Sequence, residues 1–446
     1  MRTGKNLRVE FTFALALGAL VAAPLAAQKA PAVIAIRGAK IHTLAGAPIE
    51  NGTVLLRGER IAAVGADVEI PVGAQVIDAT GLEVYPGLFD SISRLGLTEI
   101  GAVSATVDTN ELGSYNPQLL AATGVHPASE HIPVARANGI THAVSAPGSG
   151  GGGFFGGFSG PVIPGQASLI HLTGWTIEEM LIRPSVGMIL NWPSIQTRTF
   201  DFSTFEFREK PFTEAKKEYE ERVGELEDWL EAAKHYAQAE AKGSKDRFER
   251  DLKLEALAKV LRGELPLLVM ANSARDIKNA IEFVEKHKLK MILAGGAEAW
   301  KVKDLLKQEN IPVILRPTQA LPGEEDEAYD KPFTNAGELD AAGVKIAFAT
   351  FDSADSRTLP YEAANAVPYG LPRDEALKGI TRYPAEILGV GNQLGTIEAG
   401  KVANLIVTDG DPLEITTQVR HLFIKGQPTS TDNRHQQLYE KYRARP

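Results

Sequence analysis

The sequence contains no cysteine, which excludes disulfide bonds, thiolate nucleophiles and cysteine-based zinc sites. It also lacks an excess of basic residues, because its formal net charge is −9 at pH 7. Electrostatics therefore give no reason to expect a nucleic-acid partner or an anionic membrane surface. Hydrophobic residues make up 44% of the 446 positions, which is enough for a folded core. Beyond the first residues, no stretch is long and apolar enough to span a bilayer.

The chain begins with the features of a secretory signal peptide. Three basic residues, Arg2, Lys5 and Arg8, precede the apolar run "FTFALALGALVAAPLA". Small residues then precede Gln28, so we predict cleavage after Ala27. An uncleaved membrane anchor is the alternative, but the run is short and rich in Ala and Gly. We expect a periplasmic or secreted protein that has no membrane span after processing of residues 1–27.

Both ends of the mature chain have the pattern of short β-strands. Residues 33–85 contain β-branched runs separated by Gly, Asn and Pro, and the segments "LGTIEAGKVANLIVTDGD" and "VRHLFIKGQPT" have the same character. Because chain termini tend to lie close together, the two segments can form one domain. We predict a composite β-sandwich built from residues 28–85 and 394–430.

The middle of the chain alternates between apolar strands and helices. The predicted strands include "ITHAVSA", "VGMILN", "LPLLVMA", "LKMILAG", "IPVILRP" and "VKIAFAT". A clear amphipathic helix, "SARDIKNAIEFVEKHK", opens with Ser273 as its N-cap. Repeated strand–helix units predict an α/β protein with a (β/α)8 TIM barrel over residues 86–393. Residues 213–262 are rich in charge with helical periodicity and predict a surface helical insertion.

A glycine-rich segment, "APGSGGGGFFGGFSGPVIPG", covers residues 146–165. It lacks the Gly-Lys-Ser/Thr ending of a phosphate-binding loop, so the sequence gives no support for nucleotide binding. Two interpretations stay open. The segment is either a plain surface loop or a mobile lid over the carboxyl ends of the barrel strands, with Phe154, Phe155 and Phe158 contacting a ligand.

Three features of the sequence together resemble the amidohydrolase superfamily, nearest to its imidazolonepropionase-like and prolidase-like groups. They are the β-rich start, the motif "YPGLFD" and the closing segment "YPAEILGVGNQLGTIEAGKVANLIVTDGDP". The resemblance implies the barrel, the composite β domain and metal-assisted hydrolysis of C–N bonds. In that chemistry, divalent ions on the strand ends activate water and polarise a carbonyl group.

The same resemblance implies metal ligands that this sequence lacks. The family places two His after strand 1, one His each on strands 5 and 6, and an Asp on strand 8. Here strand 1 offers Ile92 and Arg94, and strand 5 offers Met270. Strand 6 offers Ala294 or Gly295, and strand 8 offers Phe351 followed by Asp352. We therefore expect no bound metal and no cofactor.

Other residues allow a weaker, ad hoc site. His126, Glu130 and His131 lie near one another in sequence, but their spacing is a poor match to one helix face. The polar residues Ser91, Ser93 and Asn272 lie near predicted strand ends and are candidates for lining a pocket. Asp352 is the candidate catalytic carboxylate.

Two functions remain open from the sequence. The first is an exported, non-catalytic binding module or partner subunit that has lost its metal centre. It would take a small-molecule ligand and form a homo-oligomer or a complex with a related amidohydrolase. The alternative is an active hydrolase of amide, cyclic amide or dipeptide C–N bonds with an atypical site, using Zn²⁺ or another divalent metal.

Arg94 occupies the position of the second strand-1 histidine, so we expect its side chain in the barrel mouth. A guanidinium keeps its proton, and an unpaired buried charge is costly. We therefore predict that Arg94 replaces the positive charge of the ion and pairs with Asp352, with Glu99 or Asp108 as the substitutes. The alternative is that the Arg94 side chain extends to solvent at the strand end.

Overall fold

The structure, a computed structural model, describes residues 33–148, 160–201, 206–241, 249–323 and 326–445. The predicted signal peptide, its cleavage site at Ala27 and the three phenylalanines of the glycine-rich segment lie outside these residues. Within the described ranges, no helix combines the length and the apolar character that crossing a bilayer requires.

The described residues form β-strands near both chain ends and through the middle of the chain. In chain order the strands are β1 (Val33–Ile41), β2 (Ile49–Arg57), β3 (Arg60–Gly65), β4 (Gln75–Asp78), β5 (Glu83–Pro86), β6 (Leu88–Ser93), β7 (Ile140–Ser145), β8 (Gln166–His171), β9 (Leu181–Asn191), β10 (Arg198–Asp201), β11 (Glu206–Glu209), β12 (Leu267–Ala271), β13 (Met291–Gly295), β14 (Val313–Leu315), β15 (Ile346–Phe348), β16 (Leu405–Thr408), β17 (Val419–Ile424) and β18 (Gln427–Pro428).

Most helices lie between the strands of the middle region. They are α1 (His131–Ala137), α2 (Ile177–Met180), α3 (Phe212–Ala241), α4 (Leu252–Leu261), α5 (Ala274–His287), α6 (Lys303–Gln308), α7 (Lys331–Ala341), α8 (Leu359–Ala366), α9 (Arg373–Gly379), α10 (Arg382–Ile387) and α11 (Arg434–Arg443). The predicted N-cap of α5 is confirmed, because the Ser273 side chain accepts a hydrogen bond from the Asp276 N–H.

One sheet combines strands from both chain ends in the order β18-β17-β16-β5-β1-β2-β3, with β4 paired to β1. The two chain ends meet where β5 runs antiparallel to β16. Apolar side chains from both ends, including Ile36, Leu56, Leu405 and Phe423, form one buried cluster. The prediction of a separate β domain made from both termini is confirmed.

The second large sheet has the order β15-β14-β13-β12-β9-β8-β7-β6 and curls into a nearly closed barrel. Its ends approach each other at β6 and β15, where the Phe351 N–H donates to the Ile92 carbonyl at 2.8 Å and the Arg94 N–H donates to the Asp352 carbonyl at 3.2 Å. The predicted TIM barrel is therefore confirmed. These two bonds bring the candidate residues of strands 1 and 8 side by side.

The barrel departs from the expected all-parallel arrangement at its third strand. β8 runs antiparallel to both β7 and β9, whereas the pairs from β9 to β15 are parallel. The reason is local: a connection of 172–180 joins β8 to β9 directly, and it holds only the four-residue helix α2. Such a short connection suits antiparallel neighbours, whereas parallel strands need a longer crossover.

Side chains alternate between the barrel interior and the surrounding helices. In β14, Ile314 belongs to the interior cluster, whereas Val313 and Leu315 belong to the cluster that faces the helices. The interior is apolar and includes Phe89, Ile92, Val144, Leu169, Ile189, Leu268, Ile292, Ala294, Ile314, Ala347 and Ala349. This alternation fixes which residues at the strand ends face the mouth of the barrel.

The helical insertion follows β9. A hairpin of β10 and β11 leads into α3 and α4, which pack together. Trp229 of α3 stacks on Tyr115 with ring centroids 5.3 Å apart, and Tyr219 accepts a hydrogen bond from Asn279 of α5. The outer face of α3 carries Lys–Glu pairs of the i,i+4 type, such as Lys216 with Glu220.

Candidate functional site

The strand ends bring several of the predicted site residues together in an apolar cluster. Ile92 is fully buried within it, together with Ala294, while Met270 and Phe351 pack against it from partly buried positions. These are the positions at which the resemblance implied metal ligands. None of these four side chains carries a lone pair suited to a divalent cation such as Zn²⁺.

Gly295 ends β13 with a backbone that suits glycine. Its φ is +99°, a conformation that L-residues rarely adopt. A β-carbon on this residue would lie 2.7 Å from the Asn272 Oδ1 and 3.2 Å from the Ala271 carbonyl oxygen. A histidine at position 295 would therefore be strained even if the Asn272 side chain moved aside. Asn272 itself is exposed at the end of β12.

Phe351 also has a left-handed backbone, with φ +56°. For a bulky side chain this conformation costs about 1–2 kcal/mol. The strain occurs at the closing contact of the barrel, where its N–H bonds to Ile92. The turn that follows places Asp352 outside the inward register of the strand.

Asp352 stabilises this turn. Its Oδ1 accepts hydrogen bonds from the N–H groups of Ala354 at 2.7 Å and Asp355 at 3.1 Å. The predicted ion pair between Arg94 and Asp352 is wrong, because within the described residues no carboxylate oxygen lies within 4.0 Å of the Arg94 guanidinium. Glu99 and Asp108 make no such pair either. Asp352 acts on Arg94 only through its longer-range charge.

Arg94 is half-buried, and its Nε is buried with no hydrogen-bond partner among the described groups. Burial lowers the pKa of the Arg94 guanidinium, and the negative charge of Asp352 partly offsets this effect. Arg316, which follows β14, shares these properties: it is half-buried, and burial alone lowers the pKa of its guanidinium. The family's ligand positions gave no reason to single out Arg316.

The two predicted serines lie in β6 rather than in an open pocket. Both are fully buried, and the Ser93 hydroxyl donates to the Val144 carbonyl at 2.9 Å. The Ser91 Oγ is buried without a described hydrogen-bond partner. The Ser93 hydroxyl is therefore engaged by the backbone of the neighbouring strand, and neither serine side chain is exposed to solvent.

A buried carboxylate next to them links strand 1 to strand 8. Asp90 is fully buried and accepts hydrogen bonds from the Thr350 N–H at 3.1 Å and from the Thr350 Oγ1 at 2.5 Å. Burial raises the pKa of Asp90 to about 7, against the lowering effect of these hydrogen bonds. The sequence showed Asp90 only as part of the motif "YPGLFD".

Histidines do not supply a replacement metal site in the described part of the chain. No group of three or more His, Asp or Glu side chains there has the arrangement to hold an ion. His131 is bonded through Nε2 to the Glu99 carbonyl oxygen at 2.8 Å, away from any such group. The ad hoc site of His126, Glu130 and His131 is therefore not assembled.

Two other histidines lie buried on neighbouring strands. His142 of β7 faces His171 of β8, and the side-chain amide of Asn404 approaches the Nδ1 atoms of both, at 3.3 and 3.2 Å. Burial lowers the pKa of His171 to about 3 and that of His142 well below its ordinary value. Because Asn404 precedes β16, this cluster joins the barrel to the β domain.

Comparisons with known proteins agree with the barrel and its β domain. The family model described as "Amidohydrolase family" matches residues 271–431. An amidohydrolase structure from Thermotoga maritima superimposes with a TM-score of 0.73 at 26% identity, covering 89% of this chain and 99% of that one.

Two curated relatives are similar over very different lengths. The amidohydrolase tasK of Hapsidospora irregularis is 25% identical over 393 residues, which are 80% of this chain and 37% of that protein. The imidazolonepropionase of Maricaulis maris is 42% identical over 82 residues, 17% of this chain and 20% of that one. The chain thus spans well under half the length of either relative.

A TIM barrel carrying a composite β domain, with matches to amidohydrolases in sequence and in structure, defines a class of protein. Residues 271–431 match the amidohydrolase family, and the structural and sequence neighbours support placing the chain in the amidohydrolase superfamily. Within the superfamily, its sequence and structural relatives include hydrolases.

Proposed function

We propose that this protein is a non-catalytic member of the superfamily, a binding module whose barrel has lost the metal centre. The observation that carries the proposal is the packing of Ile92, Met270, Ala294 and Phe351 in one apolar cluster at the strand ends. Aliphatic and aromatic side chains stand where the family would need imidazole and carboxylate.

The residues present do not fit a metal ion. A catalytic zinc site takes three protein ligands of N, O or S type and keeps one position open for water. The polar side chains at the strand ends include Arg94, Arg316, Asn272 and Asn191, while Asp352 is engaged by backbone N–H groups. Two positive charges there would repel a divalent cation. We therefore derive no hydrolytic step through a metal.

A direct test is hydrolysis with and without added metal. The purified protein is incubated with Zn²⁺ or Mn²⁺ and assayed on dipeptides, a cyclic amide and an anilide. We expect no turnover above a blank without protein, at any metal concentration. Metal-dependent turnover would instead support the alternative, an active hydrolase with an atypical site.

We also propose that the protein is exported and cleaved after Ala27, on the evidence of its basic start and apolar run. N-terminal sequencing of material from the native host tests this proposal. A new terminus at Gln28 in an extracytoplasmic fraction supports it, and an intact Met1 in the cytoplasm contradicts it.

The same proposal includes association with another barrel, either a second copy or a related amidohydrolase. Symmetric homo-oligomers are the commonest soluble assemblies, so a homodimer is the expected form. Light scattering on the purified protein, with pull-down from the native host, measures it. A monomer without a co-purifying relative contradicts this part of the proposal.

A further inference from the structure

Two arginines share the inward register at the mouth of the barrel. Arg316 follows Leu315 and continues the β14 ladder, because its N–H donates to the Gly295 carbonyl at 2.9 Å. Alternation then gives it the same facing as Ile314, an interior residue. Arg94 follows Ile92 by two residues and precedes Leu95, which faces the helices.

The spacing lets both guanidinium groups reach one ligand. In the barrel, only β15 lies between β14, which precedes Arg316, and β6, which precedes Arg94. Neighbouring strands lie about 4.8 Å apart, so the backbones of β14 and β6 are about 10 Å apart. The flexible arginine side chain spans more than half of this distance. A single anion between the two strands can therefore contact both arginines.

Neither charge has a close carboxylate partner among the described residues, unlike many arginines on the surface. Among the described residues, the arginines that do form ion pairs within 3 Å of a carboxylate oxygen are Arg250, Arg262, Arg373, Arg382, Arg420 and Arg443. The charge of Asp352 raises the pKa of the Arg94 guanidinium from beyond ion-pair distance, and no carboxylate contributes to the pKa of Arg316. A half-buried charge without a partner is unfavourable, and binding an anion relieves this cost.

The floor beneath the arginines is apolar. Met270 and Phe351 are partly buried, so each presents part of its side chain to the mouth, and Asn272 is exposed at the rim. A single guanidinium group recognises a planar carboxylate through two parallel hydrogen bonds, and a second guanidinium adds further donors and charge. An apolar floor below them favours a ligand with a hydrophobic body.

We propose that the barrel mouth binds a small organic carboxylate, with Arg94 and Arg316 holding the carboxylate and Met270 and Phe351 contacting its apolar body. This inference rests on the proposed function, because a mouth without a metal ion needs another source of affinity. It names the ligand class of that binding module. An inorganic anion satisfies the arginines but leaves the apolar floor without a contact.

Calorimetric titration of the whole mature protein tests the ligand class. The probes are sodium phenylacetate, its neutral isostere phenylacetamide, and inorganic phosphate. We expect phenylacetate to bind at least about tenfold more tightly than phenylacetamide, because hydrogen bonds to charged groups are the stronger ones. Phosphate should bind more weakly than phenylacetate, since it lacks the apolar body.

Variants locate the site. Arg94→Gln and Arg316→Gln should each weaken phenylacetate binding by about tenfold or more. Arg136→Gln is the matched control, because Arg136 is also half-buried, but it lies on α1 and donates to the Leu172 carbonyl. This control should leave the affinity unchanged. If a Gln variant fails to fold, the corresponding Lys variant keeps the charge, and we expect it to bind several-fold more weakly than wild type.

Several results would overturn the inference. They are equal binding of phenylacetate and phenylacetamide, phosphate binding as tight as phenylacetate, or full affinity in folded Arg94 and Arg316 variants. Each of these can occur in a protein without metal or hydrolytic activity. Failure of the ligand assignment is therefore distinguishable from failure of the proposed function, which is read from metal-dependent turnover.

Discussion

Asn272 and Gly295 lie against each other at the ends of β12 and β13, so close that a β-carbon on residue 295 would stand 2.7 Å from the Asn272 Oδ1. Position 295 is one of the two at which the family resemblance implied a metal-binding histidine on strand 6. The backbone has adapted to glycine there, with φ +99°. Both the side chain and the local backbone conformation at this position therefore disfavour a histidine.

This relationship predicts that a β-carbon at position 295 destabilises the protein beyond the cost of its φ angle. Gly370 is the matched control, because its φ is +109° and a β-carbon there meets nothing within 4 Å. Gly370→Ala should lower the free energy of unfolding by about 1–2 kcal/mol, and Gly295→Ala by roughly 1 kcal/mol more. Urea unfolding measures both.

A double variant separates the two contributions at residue 295. Because Asn272 supplies the closest contact, Gly295→Ala should cost less in an Asn272→Ala background than in the wild type. Equal costs in the two backgrounds would show that the contact with Asn272 is irrelevant. Gly295→His should stay strained in both backgrounds and should not give the protein stoichiometric zinc.

Asp90 predicts a pH dependence of stability in the neutral range. Its pKa is about 7 in the folded protein, above the value of about 4 in an unfolded chain. Between these values the folded state holds the proton more strongly, so the free energy of unfolding falls as pH rises from about 4 to 7. The contribution is fully present below pH 4.

The variant Asp90→Asn removes this titration. Urea unfolding at pH 5 and pH 8 should show that wild type loses more stability over this interval than Asp90→Asn does. Asp78→Asn, at an exposed carboxylate whose pKa is lowered by hydrogen bonds from Thr80, is the control and should keep the wild-type slope. A slope that is unchanged in Asp90→Asn would contradict the assignment.

The buried histidines predict the opposite slope on the acid side. The folded pKa values of His142 and His171 lie below the unfolded value of about 6.5. Their contribution is therefore present above about pH 6.5, and it is lost as pH falls toward 3, where His171 titrates. His171→Gln should flatten this acid limb, measured by unfolding between pH 4 and 7. His435→Gln, on the exposed helix α11, should not.

Much of the fold could be predicted from the sequence, because hydrophobic periodicity indicates the strands and helices and their order along the chain indicates how they assemble. Alternating strands and helices gave the barrel, and β-rich segments at both ends gave the second domain. The reversed strand β8 was not among the strands predicted from the sequence, although its six residues are all buried. The reason is that an α/β pattern leads one to expect a crossover helix before each parallel strand, and the described residues between β7 and β8 (146–148 and 160–165) contain no helix.

The candidate site was predicted only in part, because its geometry depends on tertiary structure. Motif comparison indicated that Ile92, Met270 and Phe351 occupy ligand positions, and side-chain alternation placed Arg94 in the mouth. The predicted ion pair between Asp352 and Arg94 was wrong, because the left-handed Phe351 starts a turn whose N–H groups engage the Asp352 carboxylate. Arg316 was missed because its significance lies in the lack of a carboxylate partner, which only the packed structure reveals.

Metal content of the mature protein tests the central claim most directly. The protein is produced without a polyhistidine tag, dialysed against Zn²⁺, Mn²⁺ and Ni²⁺, freed of excess ion and measured by elemental analysis. Because apolar side chains and two arginines line the mouth, we predict metal far below one ion per chain. About one tightly bound ion per chain, the content of a single structural or catalytic site, would contradict the account.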